Sequence, residues 1–315
     1  MLTRPGLSLA GEDIAVPLPA ALHAFGRSVT ARLTGPAGAP LLVLLGGISG
    51  NRFVCAREDG RVGWWPGLAG GGFAADPARF RVLGIDFAAD EDGRVAPCTR
   101  DQAAVVCAAL DAVGEARAHA VIGASYGGMV ALALGQHHPE RAERLAIISA
   151  ADRPHAAATA IRELQRRVVA LGIEAGRGEA ALAIARGMAM LTYRTADELG
   201  QRFTAGTRGA DPLEVTDVGA YLRARGEAFR EVMSPGRFLS LSASIDRHRV
   251  DPAAIRLPIL LIGAHSDQLV PAADMARLAD ALGARLHLLD TLYGHDMFLK
   301  EAPAVSALVQ PFLAA

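Results

Sequence analysis

Cysteine is scarce, charge is balanced and no apolar run is long. The three cysteines, Cys55, Cys98 and Cys107, are odd in number and loosely spaced, with no CxxC pair. That is not a disulfide framework, and it points to free thiols in a reducing cytosol. The formal net charge is −1, with no long run of one sign. A nucleic-acid partner would need a basic surface, so that class is disfavoured. Lysine is almost missing: Lys300 is the only one, and arginine supplies the other cations. The longest apolar runs, such as Leu41–Leu45, are far too short to span a bilayer. The N-terminal stretch MLTRPGLSLAGEDIAVPLP lacks the continuous apolar core of a secretory signal. The expectation is a soluble, cytoplasmic protein without membrane contact. No HExxH occurs, and His137 and His138 are adjacent, which is poor ligand geometry on a helix. The acidic stretch 90–93 lacks the spacing of a calcium loop. No metal site and no bound cofactor are expected.

What is present is a large apolar fraction, 51% of 315 residues, enough for a sizeable core. Short apolar runs recur between turn signals: Leu41–Leu45, Phe80–Ile85, Ala120–Ile122, Leu145–Ile148, Ile259–Ile262 and Leu286–Leu289. Continuous rather than alternating apolarity suits strands buried on both faces of a parallel sheet. Helical stretches alternate with them. Thr99 is placed to cap a helix reaching about Val113, with Gln102 at the capping-box position, and Tyr126–His137 reads as another helix. The pattern changes after Ser149. Between 152 and 250 there is no convincing strand, only the amphipathic stretches Ala156–Leu171, Glu179–Met190, Val218–Val232 and Phe238–Asp246. The fold class is therefore α/β: a mostly parallel, doubly wound sheet from 1–151 and 251–315, with 152–250 inserted as a helical lid.

The chemistry starts at Gly123-x-Ser125-x-Gly127, between a predicted strand and a predicted helix. In that context the serine sits on a tight, strained turn that exposes its hydroxyl and aims the next helix N-terminus at a developing oxyanion. The Tyr126 N–H is one candidate donor. The other is the Ile48 N–H, on the glycine-rich loop 46–50 after an earlier strand. A serine needs a base, and the base needs an orienting carboxylate. The chain order Ser, Asp, His of the α/β-hydrolase fold selects His295, in Tyr-Gly-His-Asp after the last strand, with His265 as the alternative. It selects Asp267, on the loop after Ile259–Ile262, with Asp290 as the alternative. Asp296 adjoins the base, so it is assigned to substrate rather than to the triad.

Several segments resemble, in order, the homoserine O-acyltransferases of the α/β-hydrolase superfamily (the MetX type). They are Gly63-Trp64-Trp65, the elbow 123–129, the stretch Ala185–Arg194 with its AR and TYR, Tyr221 with Phe229, Ser266-Asp267 with Pro271, and Gly294–Glu301. The resemblance implies methionine biosynthesis and a ping-pong reaction. Acyl-CoA, a co-substrate, acylates Ser125, and the γ-hydroxyl of L-homoserine then takes the acyl group with His295 as base. It implies that Arg186 and Tyr193 bind the homoserine carboxylate and Asp296 its ammonium. It also implies a homodimer through the lid, where Met188, Met190 and Leu191 are apolar positions that fit a core equally well.

The chain departs from the family at the short segment 85–93, at the oxyanion loop Gly-Gly-Ile-Ser, and at Tyr126, where many members carry Met. These positions are expected to line the acyl site, and they resemble the short branch that uses succinyl-CoA rather than acetyl-CoA. Arg52 and Arg57 are candidates for a succinyl carboxylate. L-Serine, one methylene shorter, is an alternative acceptor. A carboxylesterase of small esters, with the same triad and an apolar pocket, is the alternative activity.

Overall fold

Residues alternate in direction along a strand, so a strand that is apolar at every position must be covered on both faces. In the computed structural model, which describes residues 11–204, 206, 211 and 216–314, this is what happens at β3 (Leu41–Leu45), β5 (Ala120–Ala124) and β6 (Leu145–Ile148), buried at every position. Val43, Val121 and Ile147 face one core with Leu110, Val130 and Leu134. Leu42, Ile122 and Ile148 face the other with Trp65, Val305 and Val309.

The sheet also contains β1 (Gly11–Pro17), β2 (Ser28–Thr34), β4 (Arg81–Ile85), β7 (Ile259–Ala264) and β8 (Arg285–Leu289). The spatial order is β1-β2-β4-β3-β5-β6-β7-β8. From β4 to β8 all neighbours are parallel. β1 and β2 form an antiparallel edge that sequence periodicity did not reveal. Much of that edge is exposed, so it carries no long apolar run.

Helices α1 (Thr99–Ala112), α2 (Tyr126–His137), α8 (Ala272–Leu282), α9 (Met297–Lys300) and α10 (Ala302–Ala314) belong to the sheet domain. The α1 cap lies one residue earlier than Thr99. Cys98 is the N-cap, and its N–H donates to the Asp101 carboxylate at 2.7 Å. Thr99 and Gln102 have tertiary partners instead. The Thr99 hydroxyl meets His248 Nδ1 at 2.8 Å, and the Gln102 amide pairs with both the N–H and the carbonyl of Ala88.

Between β6 and β7 the chain makes α3 (Ala156–Glu174), α4 (Gly178–Tyr193), α5 (Ala196–Arg202), α6 (Asp217–Arg230) and α7 (Pro235–Asp246). The Val250 N–H donates to the Asp152 carbonyl at 3.0 Å, so this excursion leaves and returns at one neck. No described helix is long and apolar enough to cross a membrane.

Candidate active site

Ser125 is the residue between β5 and α2, and its backbone sits at φ 54°, ψ −120°. For a residue with a Cβ this left-handed region is strained, and it persists only where the surroundings enforce it. Two glycines allow that turn. A Cβ on Gly127 would lie 2.3 Å from the Leu45 carbonyl oxygen, and one on Gly123 would lie 2.2 Å from the Gly127 carbonyl oxygen. The turn lifts the hydroxyl out at the carboxyl end of the sheet, where the loops after β3, β7 and β8 also arrive.

Those loops complete a hydrogen-bonded chain. Ser125 Oγ is 2.8 Å from His295 Nε2, and His295 Nδ1 is 2.8 Å from Asp267 Oδ2. The other Asp267 oxygen accepts the N–H groups of Leu269 and Val270 at 2.9 and 3.0 Å, which fixes the carboxylate. An acceptor on Nδ1 puts the neutral imidazole's proton there, leaving Nε2 to accept from the serine. Burial alone would push the His295 imidazole down. The Asp267 carboxylate, by its charge and its hydrogen bond, outweighs that with help from Asp296, so the pKa lies above the ordinary imidazole value. The loop carrying His295 is anchored from below, where Trp65 Nε1 donates to the Phe298 carbonyl at 2.8 Å.

The loop carrying Ile48 lies against the elbow that carries Tyr126. The loop after β3 is tied to the elbow by Gly127 N–H to Gly46 carbonyl, 2.8 Å, and closed on itself by Gly50 N–H to Gly47 carbonyl, 2.7 Å. Neither the Ile48 nor the Tyr126 N–H has an acceptor among the described residues. The Tyr126 side chain does not line the acyl site, contrary to expectation. It is buried, its hydroxyl 2.5 Å from Ser244 Oγ and its ring against Phe87. Tyrosine needs a polar partner when buried, and Ser244 of α7 supplies one away from Ser125.

Two recesses meet at Ser125, Tyr193, Ile245 and His295. The first, about 140 Å³, is walled by the loop 47–50, Trp64, Arg186, Asp296 and Phe298. It brings together Arg186, Tyr193 and Asp296. The Arg186 guanidinium lies 5.1 Å from the Tyr193 ring centre and 4.9 Å from that of Phe229, with no carboxylate partner among the described residues. Asp296 is already in an ion pair that sequence reasoning missed: its carboxylate is 2.9 Å from Arg194 Nε. Arg194 in turn meets Glu198 at 3.3 Å. Nothing in sequence spacing pairs Arg194, at the end of α4, with a loop residue 102 positions further on. The second recess lies under α3, lined by Met129, Ala158, Ile161, Arg162, Gln165 and Leu269.

Four sequence candidates do not reach the serine. His265 and Asp290 are exposed and stand 3.9 Å from each other, outside both recesses. Arg52 is held by Asp86 at 2.7 Å and Asp13 at 3.1 Å. Arg57 stacks on Phe53 and faces Asp59. A succinyl carboxylate on Ser125 therefore has no partner in Arg52 or Arg57. Charge alone nominated them, and their own carboxylates hold them elsewhere. Among the described residues no cluster of three or more His, Cys, Asp or Glu side chains could hold a metal ion.

Comparison with known proteins places this geometry. Residues 40–302 match the family model of the alpha/beta hydrolase fold. The homoserine O-succinyltransferase of Xanthomonas campestris pv. campestris is 40% identical over 91% of this chain and 79% of its own length. The homoserine O-acetyltransferase of Thermus thermophilus is 32% identical over 81% of this chain and 73% of its own. Among solved structures, a homoserine O-acetyltransferase from Bacillus anthracis superposes with TM-score 0.85 at 16% identity, covering 98% of each chain. Esterase E22 superposes with TM-score 0.84 at 20% identity, covering 97% of this chain and 100% of its own. The structural likenesses are equally good for a transferase and a hydrolase, so they speak to fold alone.

Proposed function

The chain belongs to the homoserine O-acyltransferase family of the α/β-hydrolase fold, and on that premise we propose that it transfers a succinyl group from succinyl-CoA to the γ-hydroxyl of L-homoserine, a step of methionine biosynthesis. The likeness to the Xanthomonas O-succinyltransferase supports the donor. The observation that carries the acceptor is one recess holding Ser125, Arg186 and Asp296 together. A zwitterion needs one cationic and one anionic anchor. Arg186 has no carboxylate partner among the described residues, and a guanidinium can clamp a carboxylate through two N–H bonds. An esterase of neutral substrates needs neither anchor.

The reaction follows from the hydrogen-bonded chain. His295 Nε2 takes the Ser125 hydroxyl proton as Oγ attacks the thioester carbonyl. The oxyanion falls between the Ile48 and Tyr126 N–H groups, at the N-terminus of α2. The C–S bond breaks, the imidazolium protonates the leaving thiolate, and CoA departs. The homoserine γ-hydroxyl then gives its proton to His295 and attacks the acyl-serine. The second tetrahedral species collapses, and Ser125 recovers its proton. Asp267 holds the tautomer and stabilises the imidazolium throughout. The helices of 152–250 act as a lid, keeping water from the acyl-serine while the alcohol is held in line.

The three thiols are free, which suits a reducing cytoplasm. Leu164 and Leu171 on α3, with Ile184 and Leu191 on α4, are exposed, and the two pairs each recur at seven residues, which supports a homodimer through the lid. Met190 is instead core, 2% exposed.

The test is CoA release from succinyl-CoA and acetyl-CoA, each with L-homoserine or L-serine, with Ser125→Ala as control. Release that depends on homoserine and vanishes in the variant supports the proposal. Hydrolysis of simple aryl esters through Ser125, without CoA release from any pair, sinks it in favour of the esterase reading. Better turnover of L-serine would move the assignment to a serine O-acyltransferase of the same family, since one methylene is worth only about 1–3 kcal/mol.

A further inference from the structure

The recess under α3 contains polar groups that the reaction above does not use. Gln165 is 4% exposed, and its amide has no hydrogen-bond partner among the described residues. One turn earlier, Arg162 gives Nε and Nη2 to a single oxygen of Asp246, at 2.9 and 2.6 Å, and Nη2 also reaches the Thr159 hydroxyl. Its Nη1 makes no bond among the described residues. Arg166 gives Nη1 to the other Asp246 oxygen at 2.6 Å. Two guanidinium groups share one carboxylate, all three mostly buried, so this cluster carries one surplus positive charge beside Ser125. Of the other charged or titratable groups lining this recess, Asp274 is paired with Arg277, Arg153 is half-exposed with its guanidinium 3.8 Å from Asp152, and His155 Nδ1 is buried without a hydrogen-bond partner among the described residues. Met129, Ala158, Ile161, Ile245 and Leu269 supply an apolar wall between Ser125 and the polar pair.

We propose that this recess is the acyl-group subsite, and that Arg162 and Gln165 bind the distal carboxylate of a dicarboxylic acyl chain carried on Ser125. The apolar wall receives the methylenes, Arg162 Nη1 offers the charge, and the Gln165 amide offers a second N–H donor. The inference rests on the acyl-serine reading and gives its donor a chemical class. That reading itself requires a second cation. When homoserine attacks a succinyl-serine, two carboxylates occupy the cavity together, and Arg186 serves only one. Arg162 and Gln165 are donor-specificity residues; neither takes part in proton transfer.

The experiment compares succinyl-CoA with butyryl-CoA, which has the same chain length and no carboxylate, at saturating L-homoserine. Wild type is expected to favour succinyl-CoA. In Arg162→Met, where Arg166 still holds Asp246, the succinyl-to-butyryl ratio of kcat/KM should fall roughly 30- to 100-fold, the scale of one lost charge-assisted hydrogen bond. Gln165→Glu, nearly isosteric, should lower the ratio at least as far by placing a like charge against the carboxylate. Turnover of butyryl-CoA reports that each variant is folded. An unchanged ratio in both variants overturns the proposal, as does a wild type indifferent to the carboxylate. A ratio lost in Arg186→Met but kept in Arg162→Met overturns it too, by giving the role to Arg186. If no donor releases CoA, the transferase reading itself fails and the subsite falls with it.

Discussion

On the sheet side of the cavity, Ser125, His295 and Asp267 direct their hydrogen bonds at one another and at backbone N–H groups. On the side of α3 and α4, among the described residues, Gln165 has no hydrogen-bond partner, Arg186 has no carboxylate, and Arg162 keeps Nη1 free. On the proposed function, the difference is one of task. Groups that make and break bonds must be held in place before substrate arrives, because reorganisation during the reaction would be costly. Groups that recognise substrate must be left incomplete, so that the ligand is the partner they lack. Rigid strand ends suit the first task and an inserted helical layer the second.

The largest effects should come from the sheet side. Ser125→Ala removes the nucleophile and should lower kcat by about 10⁶-fold, measured as homoserine-dependent CoA release. Asp267→Asn should cost about 10⁴-fold and also move the pH profile. His295 must be neutral to act as base, so kcat/KM rises with pH through the His295 pKa. Asp267 is the main influence holding that pKa up, so the inflection should move to lower pH in the variant. An inflection that stays put would mean that another group is titrating.

The junction between the two regions has its own acid sensitivity. His248 bridges the Thr99 hydroxyl of α1 and the Ala151 carbonyl, where the chain leaves β6 for α3, at 2.8 and 3.0 Å. Burial pushes its pKa down to about 4. The unfolded chain, with a pKa near 6.5, then binds a proton that the folded chain refuses. Stability should therefore fall as pH drops from about 6.5 to about 4, by roughly 3 kcal/mol from this residue. Urea unfolding at pH 7 and pH 4.5 measures it, and His248→Gln should flatten the dependence.

On the lid side the expected effects are smaller and selective. Arg186→Met should raise the KM for L-homoserine about 30- to 100-fold. Acylation of Ser125 by the donor alone should proceed without the arginine's help. If this substitution abolished acylation as well, the division between a reacting wall and a recognising wall would be broken.

The same division explains what the sequence disclosed. Strands covered on both faces read as continuous apolar runs, so β3 to β7 were legible; the half-exposed edge strand β8 was read from its leucines alone, and the half-exposed β1 and β2 were not read. The elbow was legible because its glycines answer a local backbone demand, and the hydrogen-bonded grouping of Ser125, His295 and Asp267 because chain order in this fold is restrictive. The α1 cap was misread by one residue because Thr99 and Gln102 are polar for tertiary reasons. The pairing of Asp296 with Arg194, and the unpartnered Arg162 Nη1 and Gln165 amide among the described residues, were illegible. Whether an arginine is free depends on where its carboxylates lie, and Arg52 and Arg57 had the right charge in the wrong place.

The most direct test of the account is the intact mass of the protein mixed with succinyl-CoA before and after L-homoserine is added. The account predicts a gain of one succinyl group on wild type, none on Ser125→Ala, and loss of the adduct to homoserine with O-succinylhomoserine as product. An adduct that water removes as fast as homoserine does, leaving free succinate, would contradict it and make the protein a hydrolase.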